Sequence, residues 1–244
     1  MTIEEKIINI NDGNTYIIRE RLISKRNVVY LVDLNKGTGK NPSYILKKYV
    51  SDKNNKFKEA FLLRTLLQKG INVPEIYFEG SDFLLLEYIK GETLLDKITD
   101  LEEAQGINID YRKNSRVLYD FFKWLDMFYN ATDKILGKRY IFGDINFRNF
   151  IINDEIYGID LEDCSCRGDK EIDGGKFCAY LLTYRPSFTE WKIKLANLAI
   201  EVMTKEFNYN YYRLKKNFEK ELKEIEKRRN MEMNFHIIRQ IFHI

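Results

Sequence analysis

The amino-terminal third of the chain carries short runs of β-branched and aromatic residues, separated by polar and glycine-containing stretches. Such runs are typical of β-strands. They cover residues 16–18, 28–32, 44–46, 73–77 and 83–89. A different pattern interrupts them at residues 56–67, where apolar positions recur at helical spacing with no breaker before Gly70. The pattern predicts a β-rich amino-terminal region that contains one helix.

Helical spacing dominates after Thr93. The apolar side chains that recur every three or four residues in this part predict a buried helix; they are Leu118, Phe121, Phe122, Leu125 and Phe128. Two further apolar runs, residues 150–152 and 156–160, flank the polar turn signal at 153–155 and predict a short hairpin. The chain as a whole therefore has the pattern of an α+β protein.

The carboxyl-terminal part predicts an amphipathic helix with a basic surface. In residues 213–230 an apolar stripe is accompanied by eight basic and four acidic residues. An acidic partner or a nucleic acid is conceivable for such a surface, but charged helix faces are usually solvated. The pattern does not favour a nucleic-acid partner.

Composition is that of a soluble globular protein. The 244 residues are 44% hydrophobic and 32% charged, and a net charge of +3 is too small to name a partner. No apolar run approaches the ~18 residues of a membrane span, and the amino terminus has no apolar core of a signal peptide. We expect no membrane partner and a cytoplasmic location.

Cysteine and histidine are too few for several kinds of chemistry. The chain has three cysteines and two histidines, and both histidines, His236 and His243, lie near the carboxyl terminus. Structural zinc usually requires two short-spaced pairs of such ligands, so we expect free thiols and no zinc site. No histidine near the central segment is available for a Ser-His or Cys-His pair.

Three polar residues in the central segment have the spacing of a phosphoryl-transfer site. Asn149 follows Asp144 by five residues, and Asp160 comes eleven residues after Asn149. This spacing lets one carboxylate meet an attacking hydroxyl while amide and carboxylate oxygens reach a magnesium ion. Magnesium is a hard cation that prefers oxygen ligands. The alternative is that Asp144 and Asn149 are ordinary turn residues.

These residues and their neighbours resemble the aminoglycoside phosphotransferase and choline kinase superfamily. The resemblance is carried by Phe142-Gly143-Asp144, by Asn149, and by the segment Ile159-Asp160-Leu161-Glu162. It implies that Asp144 is the catalytic base or hydroxyl-orienting group, and that Asn149 and Asp160 are metal ligands. Phe142 is a departure, because the family usually has histidine there.

The resemblance extends to the amino-terminal region. It implies that Lys47, with Lys48 as the alternative, binds the nucleotide phosphates and that Glu59 holds this lysine. Because neighbouring residues on a strand point to opposite faces, only one of the two lysines can take this role. An exposed strand end with two solvated lysines is the competing interpretation.

Two further nucleotide contacts follow from the same resemblance. The hinge-like segment Glu87, Tyr88 and Ile89 is expected to meet the base through its main chain. The phosphate-covering loop contains no glycine, and its candidates are Ser24 and Asn27, which are equally well interpreted as solvated turn residues. The glycine-containing run 36–40 lacks the spacing of a phosphate-binding P-loop and predicts a hairpin tip.

The resemblance also covers Asp173, which is expected either to cap a helix or to brace the segment around Asp144.

Taken together, the resemblance implies a two-lobed protein-kinase-like fold. Residues 1–89 would form a small β-rich nucleotide-binding lobe, and residues 90–244 a larger helical lobe for catalysis and acceptor binding. The implied activity is Mg²⁺-dependent transfer of the γ-phosphoryl group of ATP or GTP to a hydroxyl of a small molecule. An atypical protein kinase and a catalytically silent nucleotide-binding scaffold remain the alternatives. The sequence indicates neither the acceptor nor the oligomeric state.

Overall fold

An antiparallel sheet of six strands occupies the amino-terminal part of the computed structural model. The structure describes residues 7–10, 12–37, 41–50, 52–230 and 241–242. The strands are β1 (Ile7–Asn9), β2 (Thr15–Leu22), β3 (Val28–Leu34), β4 (Ser43–Lys48), β5 (Ile76–Glu79) and β6 (Phe83–Glu87), in the order β1-β2-β3-β4-β6-β5. One face buries an apolar cluster that includes Tyr16, Val32, Leu46 and Leu85.

Helix α1 (Lys53–Leu67) interrupts the sheet in sequence, between β4 and β5. Asp52 begins it, because its side chain accepts a hydrogen bond from the backbone N–H of Asn54. Leu62, Leu63 and Leu66 are buried on the side of the helix that packs against β5 and β6. This packing holds α1 beside β6, the neighbour of the strand that bears the candidate lysines, β4.

Helices make up most of the remaining chain. They are α2 (Leu94–Gln105), α3 (Tyr111–Leu136), α4 (Lys170–Thr183), α5 (Glu190–Glu206) and α6 (Tyr211–Arg229). A small sheet accompanies them, with β7 (Glu92–Thr93), β8 (Phe150–Asn153) and β9 (Glu155–Gly158) in that order, and a 3₁₀ turn, Phe147–Asn149, precedes β8. The α+β class is confirmed, with 48% helix and 19% strand.

Contacts divide the chain into two compact units. The first contains residues 1–90 and 157–162, and the second contains residues 91–156 and 163–244. The short segment 157–162 thus belongs with the six-stranded sheet, although it follows β8 in sequence. In the second unit the core is rich in aromatic rings, and Phe121, Phe122 and Phe177 lie within 5.2 Å of one another between ring centroids.

The predicted helices and strands are present, with shifts at their ends. The strand predicted over residues 73–77 begins only at Ile76, because Pro74 has no N–H to donate to a sheet. The strand predicted to reach Asp160 ends at Gly158, and Asp160 adopts a left-handed backbone with φ of 63°. The run 36–40 lies between the antiparallel strands β3 and β4. Its residues Thr38 to Lys40 lie outside the described residues, as do both histidines.

No helix in the described part of the chain is long and apolar enough to cross a membrane.

Candidate functional site

A buried lysine at the end of β4 meets three carboxylates in the first unit. The ammonium of Lys47 donates hydrogen bonds to Glu59 Oε2 and Asp160 Oδ1, each at 2.8 Å. Its Nζ also lies 2.7 Å from Glu162 Oε1. Only 7% of the Lys47 side chain is exposed. The structure therefore brings together Lys47, Glu59 and Asp160, three of the residues that the sequence singled out.

Strand alternation decides which lysine enters this cluster. Lys47 pairs with Val29 on β3 and with Leu84 on β6, so it lies on a central strand of the sheet. Its neighbour Lys48 points the other way, with 55% of its side chain exposed and only a loose ion pair to Asp82 at 3.4 Å. The buried, paired lysine is Lys47.

The segment after β9 supplies two of the three carboxylates. Asp160 has the left-handed backbone that few residues other than glycine, asparagine and aspartate adopt. The next residue is held in place, because the backbone N–H of Leu161 donates to Glu59 Oε1 at 3.0 Å. The side chain of Glu162 is 4% exposed, whereas that of Asp160 is 46% exposed. Asp160 is thus the carboxylate of this cluster that is open to a ligand.

Tyr49 is a member of the cluster that sequence reasoning missed. Its hydroxyl donates to Glu59 Oε2 at 2.5 Å, and Lys47 Nζ lies 5.3 Å from the centre of its ring. Residues two apart on an extended segment share a face, so the spacing from Lys47 to Tyr49 was a usable signal. Tyr49 is buried.

The glycine-free loop between β2 and β3 is also connected to this cluster. The side-chain amide of Asn27 donates to Glu162 Oε1. Ser24 Oγ accepts a hydrogen bond from the backbone N–H of Asn27 at 3.3 Å. Asn27 is buried and Ser24 is exposed. Of the two candidate phosphate contacts, Asn27 is therefore already engaged by a carboxylate.

The protonation of the cluster follows from burial and charge. Burial by itself lowers the pKa of the Lys47 ammonium, but the carboxylates of Glu59, Asp160 and Glu162 raise it by more. Burial raises the pKa of Glu162, and Lys47 opposes that effect. Burial and the neighbouring Glu59 raise the pKa of the Tyr49 hydroxyl. Lys47 is thus charged and Tyr49 is a neutral donor at neutral pH.

The three carboxylates can hold a metal ion. One oxygen from each of Glu59, Asp160 and Glu162 lies within 4.8 Å of the others. In the described residues Lys47 is the lysine that pairs with all three carboxylates, and Lys58 donates only to the backbone carbonyl oxygen of Glu162. The carboxylates therefore favour an added cation. An all-oxygen ligand set suits a hard cation such as Mg²⁺ or Ca²⁺.

The hinge-like segment lies at the end of β6. The backbone N–H of Glu87 donates to the carbonyl oxygen of Glu75 at 2.9 Å, so sheet pairing already uses it. Tyr88 is exposed and Ile89 is half-buried. A main-chain contact from Glu87 to a nucleotide base would have to use its carbonyl oxygen.

In the second unit the structure brings Asp144 and Asn149 together. The side-chain amide of Asn149 donates to the backbone oxygen of Asp144 at 3.1 Å and to its carboxylate at 3.2 Å. The amide nitrogen of Asn149 is therefore directed at Asp144, and its amide oxygen remains an acceptor that a cation can use.

Gly143 shapes the loop just before Asp144. Its φ is 87°, and a Cβ at this position would lie 2.4 Å from the carbonyl oxygen of Asp163. Both the left-handed backbone and the close approach require glycine. The backbone conformation of Gly143 is therefore fixed, and Asp144 follows directly after this turn.

Asp173 braces this loop from inside α4. Its carboxylate accepts hydrogen bonds from the backbone N–H groups of Phe142 and Gly143, at 2.7 and 2.9 Å, and from the Tyr129 hydroxyl at 2.9 Å. Burial raises the pKa of Asp173, and these three donors oppose the rise. The helix begins instead after Asp169. Of the two expectations for Asp173, the structure therefore shows the brace.

Phe142 occupies an aromatic pocket. Its ring centroid lies 4.8 Å from that of Phe150 and 5.8 Å from those of Trp124 and Phe128. It is fully buried. Aromatic packing thus holds Phe142 in place, and a charged imidazole would be poorly accommodated at this position.

No protein-family model matches this chain, and no curated protein matches it. Its function has to be inferred from the two groups of side chains around Lys47 and Asp144.

Proposed function

We propose that this protein is a magnesium-dependent phosphotransferase that moves the γ-phosphoryl group of ATP or GTP to a hydroxyl of a small molecule. The observation that supports the proposal best is the buried ion pair of Lys47 and Glu59 beside the exposed carboxylate of Asp160. Burying a lysine has a desolvation cost that its carboxylate partners only offset, so a buried lysine is a candidate functional group. Phosphate binding is the role that this trio suits. The same proposal implies a two-lobed protein-kinase-like fold of the aminoglycoside phosphotransferase and choline kinase type.

The first unit would bind the nucleotide. Lys47 would contact phosphate oxygens, and Glu59 and Tyr49 would keep its ammonium in position. Asp160 would be the first unit's ligand for Mg²⁺, which neutralises charge on the phosphates when it is bound, and Asn149 stays a predicted ligand in the second unit. The oxygen-only donor set of these residues fits that ion.

The second unit would act on the acceptor. Asp144 would orient the acceptor hydroxyl and take up its proton as the oxygen–phosphorus bond forms. The bond from the γ-phosphorus to the bridging oxygen breaks at the same time, and the nucleoside diphosphate leaves. Asp173 and Gly143 would fix the backbone that presents Asp144, so positioning supplies much of the rate.

The proposal is tested by comparing three aspartate-to-asparagine variants. Asp144→Asn should lower Mg²⁺-dependent nucleotide turnover, measured without acceptor, by at least about 100-fold and leave nucleotide affinity nearly unchanged. Asp160→Asn should weaken Mg-nucleotide binding in calorimetry, because its carboxylate would contact the metal in the ground state.

Asp154→Asn is the matched control. Asp154 is an exposed aspartate at the tip of the β8–β9 hairpin and has a left-handed φ of 50°, close to the 63° of Asp160. It should retain both binding and turnover. Equal loss of nucleotide affinity in Asp144→Asn and Asp160→Asn would contradict the two roles, and nucleotide binding with no turnover above that of Asp144→Asn would indicate a scaffold.

A further inference from the structure

We infer that the acceptor is a small hydroxyl compound that carries an anionic group, a carboxylate or a phosphate, and that Arg228 binds this group. The inference rests on the proposed phosphotransferase function, because it concerns the molecule that would meet Asp144. Every residue that carries it belongs to the second unit.

The carboxyl-terminal end of α4 is fastened to the loop that contains Asp144. The hydroxyl of Tyr184 donates to Asn146 Oδ1 at 2.9 Å and accepts a hydrogen bond from the backbone N–H of Phe147 at 3.3 Å. The ring of Tyr180, one helical turn earlier, lies 6.4 Å from that of Tyr184 between centroids. These two tyrosines therefore flank the loop immediately after Asp144.

The carboxyl-terminal end of α6 lies beside the same end of α4. The guanidinium of Arg229 donates to the carbonyl oxygen of Thr183 at 2.8 Å. Arg228 lies next to Tyr180, and its Nη2 donates to Glu221 Oε1 at 2.6 Å. An acceptor whose hydroxyl reaches Asp144 would thus have the tyrosines and the end of α6 as neighbours.

Arginine side chains influence both tyrosines in the described part of the second unit. Burial raises the pKa of Tyr184, and Arg148 and Arg229 oppose the rise, whereas Asp144 adds to it. Burial, Glu221 and Asp144 raise the pKa of Tyr180 to about 12, and Arg228 opposes this. Arg229 donates to Thr183 at the end of α4 and Arg228 lies beside Tyr180, so guanidinium groups border these tyrosines, which favours an anion over a polycation.

Arg228 is the arginine best placed to bind the anion. Its side chain is 57% exposed, whereas its partner Glu221 is only 12% exposed. Nη2 contacts Glu221, Nε contacts the carbonyl oxygen of Glu224 at 3.3 Å, and the guanidinium also shares a hydrogen bond with the Tyr180 side chain. A guanidinium has five N–H donors in a fixed plane, so three contacts leave donors for a carboxylate or phosphate. The half-buried glutamate holds the guanidinium in place, which lowers the entropy cost of binding.

The test uses two series of small polyhydroxyl acceptors whose members carry a neutral, anionic or cationic group. Glycerol, glycerate, glycerol phosphate and aminopropanediol form one matched series, and glucose, gluconate, glucose phosphate and glucosamine form another. Acceptor-stimulated release of nucleoside diphosphate is measured with Mg²⁺ for each compound. We expect the anionic members to give the highest kcat/KM, and the carboxylate and phosphate members show which anion is preferred.

Arg228→Gln and Arg213→Gln are compared on the same series. Arg213 is a matched control, because it lies on the same helix, its side chain is 63% exposed, and it pairs with Asp169 at 2.9 Å. Arg213 lies about 22 Å from Arg228 along the helix axis. Arg228→Gln should lower the kcat/KM ratio of anionic to neutral acceptors by about tenfold or more. Arg228→Lys should retain part of the preference, and Arg213→Gln should retain all of it.

Two results would overturn the inference. One is a preference for the cationic or neutral members, or no stimulation by any anionic member. The other is an anion preference that Arg228→Gln and Arg213→Gln reduce equally. Nucleotide turnover measured without acceptor distinguishes this failure from a failure of the proposed function. If only the acceptor class were wrong, that turnover would persist and would still require Asp144.

Discussion

Glu59 shows how much of the candidate site depends on single atoms. Its Oε2 accepts hydrogen bonds from both Lys47 and Tyr49, and its Oε1 accepts one from the backbone of Leu161. Tyr49→Phe removes only the hydroxyl and keeps the ring beside the ammonium. We expect nucleotide affinity to fall about tenfold and the free energy of unfolding to fall by roughly 1.5–3 kcal/mol, because one hydrogen bond to a charged group is lost. Calorimetry and urea unfolding measure the two effects.

Tyr30→Phe is the control at this scale. Tyr30 lies on β3 in the same sheet, and its hydroxyl has no hydrogen-bond partner among the residues that the structure describes. The Tyr30 variant should bind nucleotide as the wild type does. If the Tyr49 variant also binds normally, Tyr49 does not position Lys47.

Helix α4 carries the brace that holds the Asp144 loop. Both oxygens of Asp173 accept hydrogen bonds, so Asp173→Asn would place an amide NH₂ group against a donor. We expect this variant to lose roughly 2–4 kcal/mol of unfolding free energy together with most turnover, since a buried network is left unsatisfied. Tyr129→Phe removes one of the three donors and should cost roughly 1.5–3 kcal/mol of unfolding free energy. Chemical denaturation of the two variants gives the comparison.

Asp169→Asn is the control for the element scale. Asp169 begins the same helix, but its side chain makes no cap hydrogen bond and pairs with exposed Arg213. Surface pairs of this kind contribute little, so stability should change by less than about 1 kcal/mol. If Asp169→Asn lost as much stability as Asp173→Asn, the amino-terminal end of α4, and not the hydrogen bonds of Asp173, would account for the loss.

The whole molecule should respond to its ligands through stability. If the protein binds Mg-nucleotide, a ligand concentration 100-fold above Kd adds about 2.7 kcal/mol of stability. For a chain of 244 residues this corresponds to a rise in Tm of roughly 5–10 °C. Chelating the metal with EDTA should remove most of the rise, and Asp160→Asn should show little of it in a thermal-shift experiment. An equal rise with and without Mg²⁺ would contradict a metal-bound nucleotide.

Local chemistry was sufficient to predict most elements, whereas the candidate site residues were named through the family resemblance. Strand alternation predicted that Lys47 and Lys48 point to opposite faces, because that depends only on neighbouring backbone geometry. The α+β class follows from the periodicity of apolar positions in the same way. The role of the site is a different matter, since a phosphotransferase activity was suggested by resemblance and remains a proposal.

Only the tertiary structure decided which distant residues complete each cluster. Tyr49 and Asn27 reach carboxylates that are 10 and 135 residues away in sequence, and Asp173 turns out to brace a loop 30 residues upstream of it. Sequence periodicity reports which face of an element is buried, but not which element covers that face. Side chains from separate segments meet only when the chain has packed, so the partners of a buried polar group are a property of the fold.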